Sequence, residues 1–418
     1  MSKKTLYLCY FGLREPLVQT QVLPYLREIA KDGIKISILT FEPDFKTRWT
    51  AEQIEAERKT LAAENIEWHC LAYHKRPSAP ATAFDVLCGV NYIRKIMRRE
   101  KIDVLHARSH VPAVMGALAK KLALGTKPKL IFDIRGFFPE EYTDAGIWKE
   151  KGRLYKTVKK IERWLLKNAD GFVVLTERAR EILFPESART GFDTAGRPVE
   201  VIPCCVDLKR FDAASDDARF EMRRRLNLEN RFVMVYVGSF GGWYMTEETA
   251  DFYGELKRHR KDAFALILTQ SNPEMIEPLL RKRGFSDGDF LIKRVPPNEI
   301  PLYLCAADAA VSFIKPCYSK QASSPTKNAE YLVCGLPIVA NDGIGDTTAL
   351  TKADETGVII DGFDSESYAK ALSELQKLME NKETLSERCR ASARKRFDLE
   401  NVGGERYRRL YRRLLGTK

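Results

Sequence analysis

Residues 323–340 read SSPTKNAEYLVCGLPIVA, a pattern that predicts a short helix followed at once by a buried strand. Ser324 is predicted as the N-cap, because its hydroxyl can accept an orphan N–H of the first turn, and Pro325 suits the first helical position. Gly335 favours the left-handed residue that ends a helix, and the proline two residues later prevents continuation. Residues 338–340 are apolar and few, which is typical of a parallel strand buried on both faces.

Lys327 and Glu330 lie three residues apart, so they share one face of the predicted helix. A cation near a helix N-terminus gains nothing from the helix dipole, which favours anions there. The lysine is better explained if its ammonium and the free N–H groups near Ser324 and Thr326 together hold a phosphate. Glu330 would then accept hydrogen bonds from ribose or sugar hydroxyls. A surface helix with an exposed Lys327–Glu330 ion pair is the alternative, and the residues alone leave both open.

The longer run SSPTKNAEYLVCGLPIVAND, with GIGD at 343–346 after it, resembles the donor-site segment of family-four retaining glycosyltransferases of the GT-B fold. In that family this helix holds the nucleotide diphosphate and ribose, and the glutamate at the position of Glu330 grips the ribose. The resemblance implies an α/β chain with two Rossmann-like, doubly wound domains that face a central cleft. The chain departs from the family at Ala322, where relatives usually carry a second glutamate that touches the donor sugar, so the identity of that sugar stays open.

The composition is that of a soluble globular enzyme, since 44% of the 418 residues are hydrophobic and 30% are charged. The length suffices for two domains with substantial cores. No apolar run reaches the length of a membrane span, and residues 1–4 lead directly into a predicted strand rather than into a signal peptide's apolar core. Nine cysteines without a Cys-x-x-Cys pair or a Cys/His cluster are best explained as reduced thiols. We therefore expect a cytoplasmic protein.

The formal net charge of +12 calls for an anionic partner: nucleic acid, an anionic membrane surface or a phosphorylated small molecule. The sequence carries no nucleic-acid-binding motif, so we expect no nucleic acid. The two densest basic stretches, residues 94–101 and 149–167, have the pattern of helices with a solvated basic face. The alternative is peripheral contact with the inner face of the plasma membrane, where each basic group contributes about 1 kcal/mol.

Strand and helix patterns alternate along the first half of the chain, which predicts a doubly wound parallel sheet. Such sheets bind ligands at the carboxyl ends of their strands, so Gly12, after the first predicted strand, is expected to line a cleft. A strand over residues 102–110 ends in His106, Arg108 and His110, and hydrogen bonding at a strand end is the plain explanation for both histidines. The resemblance instead implies an acceptor cleft that includes both histidines. There Arg108, which stays charged, would stabilise negative charge on the acceptor or the leaving diphosphate.

Residues 129–136 read KLIFDIRG, a predicted strand with the loop after it. Asp133 and Arg135 are two residues apart on this strand and therefore point the same way. A structural ion pair explains them as well as a catalytic role does, and the residues leave both open. Because resembling enzymes use this loop at their catalytic cleft, the resemblance implies that Asp133 and Arg135 act with Arg108 at the acceptor.

The apolar run 232–237 starts a second set of strands, and residues 238–243 read GSFGGW after it. Glycines let the backbone approach a ligand and present N–H groups to phosphate, but this loop is neither a P-loop nor a dinucleotide fingerprint. Its place in the resemblance makes it the diphosphate loop. Gly238, Ser239 and Trp243 are therefore expected at the donor.

Three further sequence features bear on the predicted donor site: the residues after the glycine-rich loop, Val295 and the motif at 287–289. Many relatives carry an arginine and a lysine just after the glycine-rich loop, and their absence here leaves more of the diphosphate charge to Lys327. Val295 lies where relatives contact the base through backbone atoms. Residues 287–289 read DGD, which holds a metal in other glycosyltransferases, but between a helix and a strand Asp-Gly is ordinary turn chemistry. We therefore expect no metal.

The expected domains are residues 1–207 for the acceptor and 208–400 for the nucleotide sugar, with a terminal helix in 401–418. The tail has an apolar stripe at helical spacing, made by Tyr407, Leu410, Tyr411 and Leu414. The resemblance implies that this helix crosses back onto the N-terminal domain, which the stripe would allow. A helix on a membrane surface is the alternative.

The combined prediction is a retaining glycosyltransferase that moves a sugar from a UDP- or GDP-type nucleotide sugar to a glycan or lipid-diphosphate-linked acceptor, without a cofactor. The resemblance places it in bacterial surface polysaccharide assembly, with front-side attack by the acceptor hydroxyl and the leaving phosphate as base. Two alternatives stay open. One is a GT-B nucleotide-sugar 2-epimerase, which needs no acceptor, and the other is a non-enzymatic basic scaffold that binds nucleic acid or membrane.

Overall fold

The computed structural model describes residues 2–416 and divides the chain into two compact units. The first unit ends at Pro203 and takes up the chain again at Leu399, and the second unit is Cys204–Asp398. The predicted boundaries at 207 and 400 lie a few residues later. Residues 1, 417 and 418 of the predicted domain ranges lie outside the described part of the chain.

The first unit is built on a sheet of seven parallel strands. Numbered in chain order, they are β1 Lys4–Leu8, β2 Lys35–Pro43, β3 Ile66–Tyr73, β4 Val104–Arg108, β5 Lys129–Asp133, β6 Gly171–Val174 and β7 Val199–Val201. Their order in space is β3-β2-β1-β4-β5-β6-β7. The connections run outward in both directions from β1, so the carboxyl ends of β1 and β4 form the switch point at which such sheets bind ligands.

Among the described residues, eleven α-helices belong to the first unit. In chain order they are α1 Pro16–Gln21, α2 Leu23–Ala30, α3 Phe45–Arg48, α4 Ala51–Ala63, α5 Ser78–Glu100, α6 His110–Lys121, α7 Phe138–Asp144, α8 Arg153–Asn168, α9 Glu177–Leu183, α10 Ser187–Thr190 and, near the end of the chain, α19 Glu405–Leu415. Local signals set several of their ends. At the start of α4, for example, Thr50 and Gln53 exchange side-chain-to-backbone hydrogen bonds in a capping box.

The second unit repeats the topology of the first with six parallel strands. They are β8 Phe232–Val237, β9 Ala263–Leu268, β10 Phe290–Lys293, β11 Ala309–Ser312, β12 Ile338–Asn341 and β13 Gly357–Ile360, in the order β10-β9-β8-β11-β12-β13. Its helices are α11 Asp216–Arg225, α12 Thr246–His259, α13 Glu277–Lys282, α14 Ile300–Cys305, α15 Thr326–Val333, α16 Thr347–Ala353, α17 Ser365–Leu378 and α18 Lys382–Phe397. Two Rossmann-like units, both α/β with parallel sheets, are thus confirmed.

Strand β8 shows why the central strands read as unbroken apolar runs. Val233 and Val235 pack into the hydrophobic core on one face of the sheet. Phe232, Met234 and Tyr236 pack into the core on the other face. Alternate side chains of a strand point to opposite faces, so a strand covered by helices on both sides needs apolar residues at every position.

The end of the chain returns to the first unit. After a wide turn at Leu399–Gly404, helix α19 packs against α2 and β7. Tyr407, Leu410 and Tyr411 of the predicted stripe are buried there. The hydroxyl of Tyr407 donates to Asp133 Oδ2 at 2.9 Å, which ties the helix to the end of β5.

The two basic stretches lie on helices of the first unit. Residues 94–101 coincide with the end of α5, and residues 149–167 overlap α8. Part of the charge on α8 is paired, since Lys159 Nζ lies 3.0 Å from Glu140 Oε1. Within the described part of the chain, no helix combines the length and the apolarity that crossing a bilayer would require.

Candidate functional site

Helix α15 begins at Thr326, with Pro325 before it and no side-chain cap. The prediction of Ser324 as N-cap is therefore wrong. Ser324 lies one residue too far out, and its Oγ accepts a hydrogen bond from the backbone N–H of Cys204 at 3.1 Å. Pro325 takes the cap position because its fixed φ and missing N–H suit the edge of a helix. A helix start without a side-chain cap keeps N–H groups available for an anion.

The end of α15 agrees with the prediction. Gly335 has a φ of +73°, in the left-handed region. The backbone N–H of Leu336 donates to the carbonyl of Tyr331 at 3.0 Å, the Schellman arrangement that closes a helix. Strand β12 follows at once, and all of its residues are buried.

Gly335→Ala is expected to destabilise the second unit. The left-handed backbone alone costs an alanine about 1–2 kcal/mol. The new Cβ would also lie 2.0 Å from Ser386 Oγ, so packing adds to the loss. Gly284→Ala is a matched control, because Gly284 has a φ of +92° and nothing within 4 Å of its added Cβ. Denaturant unfolding should show a larger loss for Gly335→Ala, and equal losses would contradict the packing argument.

Lys327 places a buried ammonium beside the glycine-rich loop. Its Nζ lies 4.3 Å from the ring centre of Tyr236 and 4.7 Å from that of Tyr244, and within residues 2–416 it has no hydrogen-bond partner. A Cβ added at Gly238 would lie 3.2 Å from this Nζ, so the glycine leaves space for the ammonium. Burial lowers the pKa of Lys327 to about 7, against the opposing charge of Glu330. An anionic ligand would satisfy this cation.

Glu330 lies one turn further along α15 and is half-buried. Burial raises the pKa of Glu330 to about 7, although the charges of Arg210 and Lys327 act to lower it. Arg210 Nη2 also donates to the carbonyl of Pro297 at 3.0 Å, so its guanidinium lies at the loop after β10. Because Lys327 is 9% exposed, the alternative of an exposed surface ion pair does not fit.

The loop after β8 owes its shape to glycine. Three of its residues have positive φ: Gly238 at +139°, Gly241 at +78° and Gly242 at +60°. The hydroxyl of Tyr236 donates to the carbonyl of Ser239 at 2.5 Å, and the backbone N–H of Gly241 donates to Thr246 Oγ1 at 3.0 Å. These bonds hold the loop in a conformation that other residue types adopt only with strain.

A second lysine, Lys320, contacts this loop at Trp243. Lys320 Nζ lies 4.0 Å above the ring centre of the half-buried Trp243. Lys320 is buried within the short helical turn Tyr318–Ala322 that precedes α15. Thus Lys320 and Lys327 approach the loop from the segment before α15 and from α15 itself.

Val295 is buried in the loop after β10. Its carbonyl accepts a hydrogen bond from Gln270 Nε2 at 3.2 Å, so this backbone oxygen already has a partner. The carbonyl of Pro297, two residues further along the chain, accepts a hydrogen bond from Arg210 Nη2. Side-chain hydrogen bonds from Gln270 and Arg210 therefore anchor this loop.

In the first unit, His106 and Arg108 end β4 with buried side chains, 0% and 4% exposed. His106 Nδ1 lies 3.0 Å from the hydroxyl of Tyr411, and Arg108 Nη1 lies 3.5 Å from the carbonyl of Gln21. Burial lowers the pKa of His106, although Asp133 acts to raise it, so the imidazole is neutral at pH 7. This geometry matches the plain hydrogen-bonding explanation for His106.

Asp133 is fully buried and shares its carboxylate among three partners. Oδ2 accepts from the Tyr407 hydroxyl at 2.9 Å and lies 3.5 Å from His106 Nε2, while Arg135 Nη1 lies 3.5 Å from Oδ1. Burial acts to raise the pKa of Asp133, but the charge of Arg135 and the contact with His106 hold it well below its usual range. We call these residues and Arg108 the Asp133 cluster. The geometry matches the ion-pair alternative, and the catalytic roles of Arg108, Asp133 and Arg135 stay predictions.

His110 and Gly12 are also buried in the first unit. His110 Nε2 lies 3.0 Å from Glu162 Oε2, and its ring stacks on Phe138 with centres 5.1 Å apart. A Cβ at Gly12 would lie 2.7 Å from Pro43 Cδ and 2.8 Å from Glu42 Oε2, so the end of β2 requires a glycine there. Both residues thus have a packing role in the first unit, and their place at an acceptor cleft stays a prediction.

Sequence reasoning missed Arg210 and Lys320. Arg210 stands in no sequence pattern that indicates a ligand, and only the fold brings its charge near Glu330. Lys320 stands two residues before Ala322, the position at which the chain departs from the family pattern, and that departure was the one available signal.

Two family models of known proteins match the chain, one mainly in each unit. The family model Glycosyltransferase Family 4 matches residues 18–210, and the family model Glycosyl transferases group 1 matches residues 218–396. The first match falls mainly on the first unit, and the second match lies wholly within the second unit. The two families therefore divide the chain as its folded units do.

Curated relatives match at modest identity. D-inositol 3-phosphate glycosyltransferase of Corynebacterium jeikeium (strain K411) is 26% identical over 227 residues, 51% of each chain. 2-deoxystreptamine glucosyltransferase of Streptomyces kanamyceticus is 27% identical over 191 residues, 44% of this chain and 46% of the relative. The chain thus spans about half the length of the curated relatives it matches.

Solved structures share the fold over nearly the whole chain. A glycosyltransferase from Rickettsia africae ESF-5 has a TM-score of 0.70 at 16% identity and covers 100% of both chains. HepE of Anabaena in complex with UDP and glucose has a TM-score of 0.66 at 16% identity, with 98% of this chain and 99% of the other covered. WaaG, a glycosyltransferase involved in lipopolysaccharide biosynthesis, has a TM-score of 0.64 at 13% identity, with 96% and 98% covered. With both family models matched and this fold, the chain belongs to the family-four type of GT-B glycosyltransferases.

Proposed function

We propose that this protein is a retaining glycosyltransferase that moves a sugar from a UDP- or GDP-type nucleotide sugar to a glycan or lipid-diphosphate-linked acceptor, without a cofactor. The observation that carries the proposal is the ammonium of Lys327, which is buried at the uncapped start of α15 beside the glycine-rich loop. A diphosphate at this place would supply the negative charge that the ammonium lacks.

The proposed donor site lies in the second unit. The N–H groups of α15, near Ser324 and Thr326, and the loop at Gly238 and Ser239 would hold the diphosphate together with Lys327. Glu330, one turn on, would accept hydrogen bonds from the ribose. Arg210, which donates to the carbonyl of Pro297, and the loop at Val295 would form a wall for the base. Trp243, covered by Lys320, would flank the sugar.

In the proposed reaction the acceptor hydroxyl oxygen bonds to the sugar's anomeric carbon while the bond from that carbon to the diphosphate breaks. The hydroxyl proton passes to the departing phosphate oxygen, on the same face, so the anomeric configuration is retained. Lys327 and the helix N–H groups stabilise the charge that grows on the leaving diphosphate. Arg108 would be a further positive charge for the acceptor or the diphosphate. The anomeric coupling in the NMR spectrum of the product tests retention.

The acceptor would bind the first unit, and the setting would be bacterial surface polysaccharide assembly at the inner face of the plasma membrane. Two observations support this: the net charge of +12, and the basic residues along α5 and α8. Such a surface attracts a diphosphate-bearing acceptor and an anionic leaflet. Flotation with vesicles that contain anionic lipid, at low and high salt, tests the membrane contact.

Glu330→Gln is expected to lower nucleotide-sugar affinity by about 10- to 150-fold, the worth of a charged hydrogen bond of about 1.5–3 kcal/mol. The measurement is thermal stabilisation by a panel of UDP-, GDP-, ADP- and CMP-sugars. A ligand at a hundred times its dissociation constant stabilises a protein by about 2.7 kcal/mol, so a bound class is readily seen.

The control for that experiment is Glu374→Gln, on the exposed face of α17, which should respond to the panel as the wild type does. Equal stabilisation of wild type and Glu330→Gln would remove Glu330 from the ribose site. A panel in which no nucleotide stabilises the wild type would reject the donor site as a whole.

A further inference from the structure

Three potential metal ligands meet on the first unit, at the edge strand of its sheet. Glu67 and His69 lie two residues apart on β3, so their side chains share one face of that strand. Glu100 is the last residue of α5. One ligand atom from each of the three residues lies within 4.8 Å of the others.

His69 directs a buried nitrogen into this group. The residue is 6% exposed, and within residues 2–416 its Nε2 has no hydrogen-bond partner. Nε2 lies 3.4 Å from Glu67 Oε1 and 3.9 Å from Glu100 Oε1. Nδ1 lies 3.5 Å from the hydroxyl of Tyr92, and a proton on Nδ1 leaves the lone pair of Nε2 facing the carboxylates.

In that tautomer, a cation placed between Nε2 and the two carboxylates would satisfy the lone pair and both negative charges. Arg99 now supplies positive charge from the outer side: its Nη2 lies 3.2 Å from Glu67 Oε1 and also contacts Glu100 Oε1. The Arg99 side chain is 57% exposed, so it can turn into solvent without disturbing the core. The guanidinium satisfies the carboxylates but leaves Nε2 of His69 unbonded.

We propose that Glu67, His69 and Glu100 form a Zn²⁺ site, which the metal enters by displacing Arg99. Ligands at the usual zinc distances in a tetrahedron lie about 3.3 Å from one another. The separations of 3.4 Å and 3.9 Å from His69 Nε2 therefore need only a small closing movement. One imidazole with two carboxylates suits zinc, whereas calcium and magnesium take oxygen ligands. A water molecule completes the fourth position.

Two neighbours already orient these ligands. Ser37 Oγ donates to Glu100 Oε2 at 3.4 Å, which leaves Oε1 turned to the cluster, and Tyr92 faces the other nitrogen of His69. Hydrogen bonds of this kind set the direction of metal ligands. The bound metal would join β3 to the end of α5 and stabilise the first unit. It takes no part in the proposed sugar transfer, so the site stands independently of that proposal.

The test is titration of the full-length, metal-free protein with Zn²⁺, followed by calorimetry and by the melting temperature. Co²⁺ serves as a second probe, because its visible absorption reports tetrahedral coordination by nitrogen and oxygen. The wild type should bind one equivalent and melt at a higher temperature with metal. Glu67→Gln, at an exposed position that folding tolerates, and His69→Gln should each weaken binding by about 100-fold. Arg99→Gln should tighten binding by about tenfold, because it removes the competing cation.

His259→Gln is the matched control. His259 Nδ1 lies 3.1 Å from Glu255 Oε1 on α12, and Arg258 pairs with the same glutamate. Like the proposed zinc site, this group has a histidine, a carboxylate and an arginine in contact, but it has no third ligand. This variant should bind zinc as the wild type does. Unchanged binding by Glu67→Gln, or no tightening in Arg99→Gln, would overturn the proposal. A sulfur-to-cobalt charge-transfer band would assign the metal to cysteines and would overturn it as well.

Discussion

Lys327→Met is expected to weaken the binding of a nucleotide diphosphate by about 10- to 150-fold, while the ligand-free protein becomes more stable. The loss follows from one charge-assisted hydrogen bond, worth about 1.5–3 kcal/mol. Methionine matches the length of lysine and packs against irregular apolar surroundings, so the change removes the charge and keeps the shape. Isothermal titration with the nucleotide identified by the sugar panel gives the affinity, and thermal unfolding without ligand gives the stability.

The expected gain in stability has a specific cause. The ammonium of Lys327 is 9% exposed, has aromatic rings on two sides and lacks a hydrogen-bond partner within the described residues. Replacement of a buried charge by an apolar side chain of similar volume is often stabilising. A residue that lowers stability in the free protein and raises affinity in the complex is the signature of a binding site.

The same lysine makes stability depend on pH, which gives a second readout. The folded pKa is about 7, and the ordinary value is 10.5. Between these two values the unfolded chain binds more protons than the folded chain, so the free energy of unfolding rises with pH. The stability advantage of Lys327→Met should therefore shrink as the pH is raised through this window. Ligand binding near pH 8 should take up a proton, which titration in buffers of different ionisation enthalpy measures.

Lys370→Met, an exposed lysine on α17 that pairs with Asp361, is the control and should change neither affinity nor its pH dependence. If Lys327→Met bound nucleotide as tightly as the wild type, the ammonium would have no part in the donor site. If it were less stable than the wild type at pH 7, the account of a costly buried charge would be wrong.

The fold could be predicted wherever a single local signal decides an element. Residues 232–237 form one apolar run because β8 is covered on both faces, and Gly335 marks the end of α15 because few residues adopt its backbone without strain. The start of α15 was misjudged because Ser324 and Pro325 are both suited to a helix start. The proline took the cap, and the serine bonded to a distant backbone N–H instead.

The candidate site could be predicted only where a residue does not suit its local structure. Lys327 stands in the first turn of a helix, where the helix dipole disfavours a cation. The structure buries its ammonium without a hydrogen-bond partner among the described residues. Arg210 carries no such signal, since its closeness to Glu330 arises from the fold. For Asp133, the sequence could not indicate that Tyr407, hundreds of residues later, donates a hydrogen bond to its carboxylate, since only the fold brings the two together.

Asp133→Ala is expected to lower the free energy of unfolding of the first unit by about 3–5 kcal/mol, the usual result of breaking a buried ion pair. The carboxylate offsets the charges of Arg108 and Arg135, and it accepts the Tyr407 hydroxyl at 2.9 Å. Its removal leaves those charges buried without their anion. Tyr407→Phe removes a single hydrogen bond to the same carboxylate and should cost about 1–3 kcal/mol.

The loss of stability should appear mainly in helix α19, which packs on the first unit. Since Tyr407 ties α19 to Asp133, hydrogen exchange of the amides in residues 405–415 should accelerate in Asp133→Ala and, less, in Tyr407→Phe. Unchanged protection of α19 would contradict the structural role. The folded pKa of Asp133 lies below the ordinary 3.8, so its contribution is present above that pH and is lost as the pH falls through the folded value. The wild type and Asp133→Ala should therefore converge in stability on acidification.

Asp133→Asn separates the structural role from the catalytic one. Asparagine keeps the shape and can still accept from Tyr407, but it removes the charge that offsets Arg135. A structural carboxylate predicts that this variant loses stability and α19 protection while its folded fraction still transfers sugar at low temperature. A catalytic carboxylate predicts normal stability and protection with transfer abolished. Because Asp133 is fully buried in the first unit, with its oxygens directed at Tyr407, His106 and Arg135, we expect the first outcome.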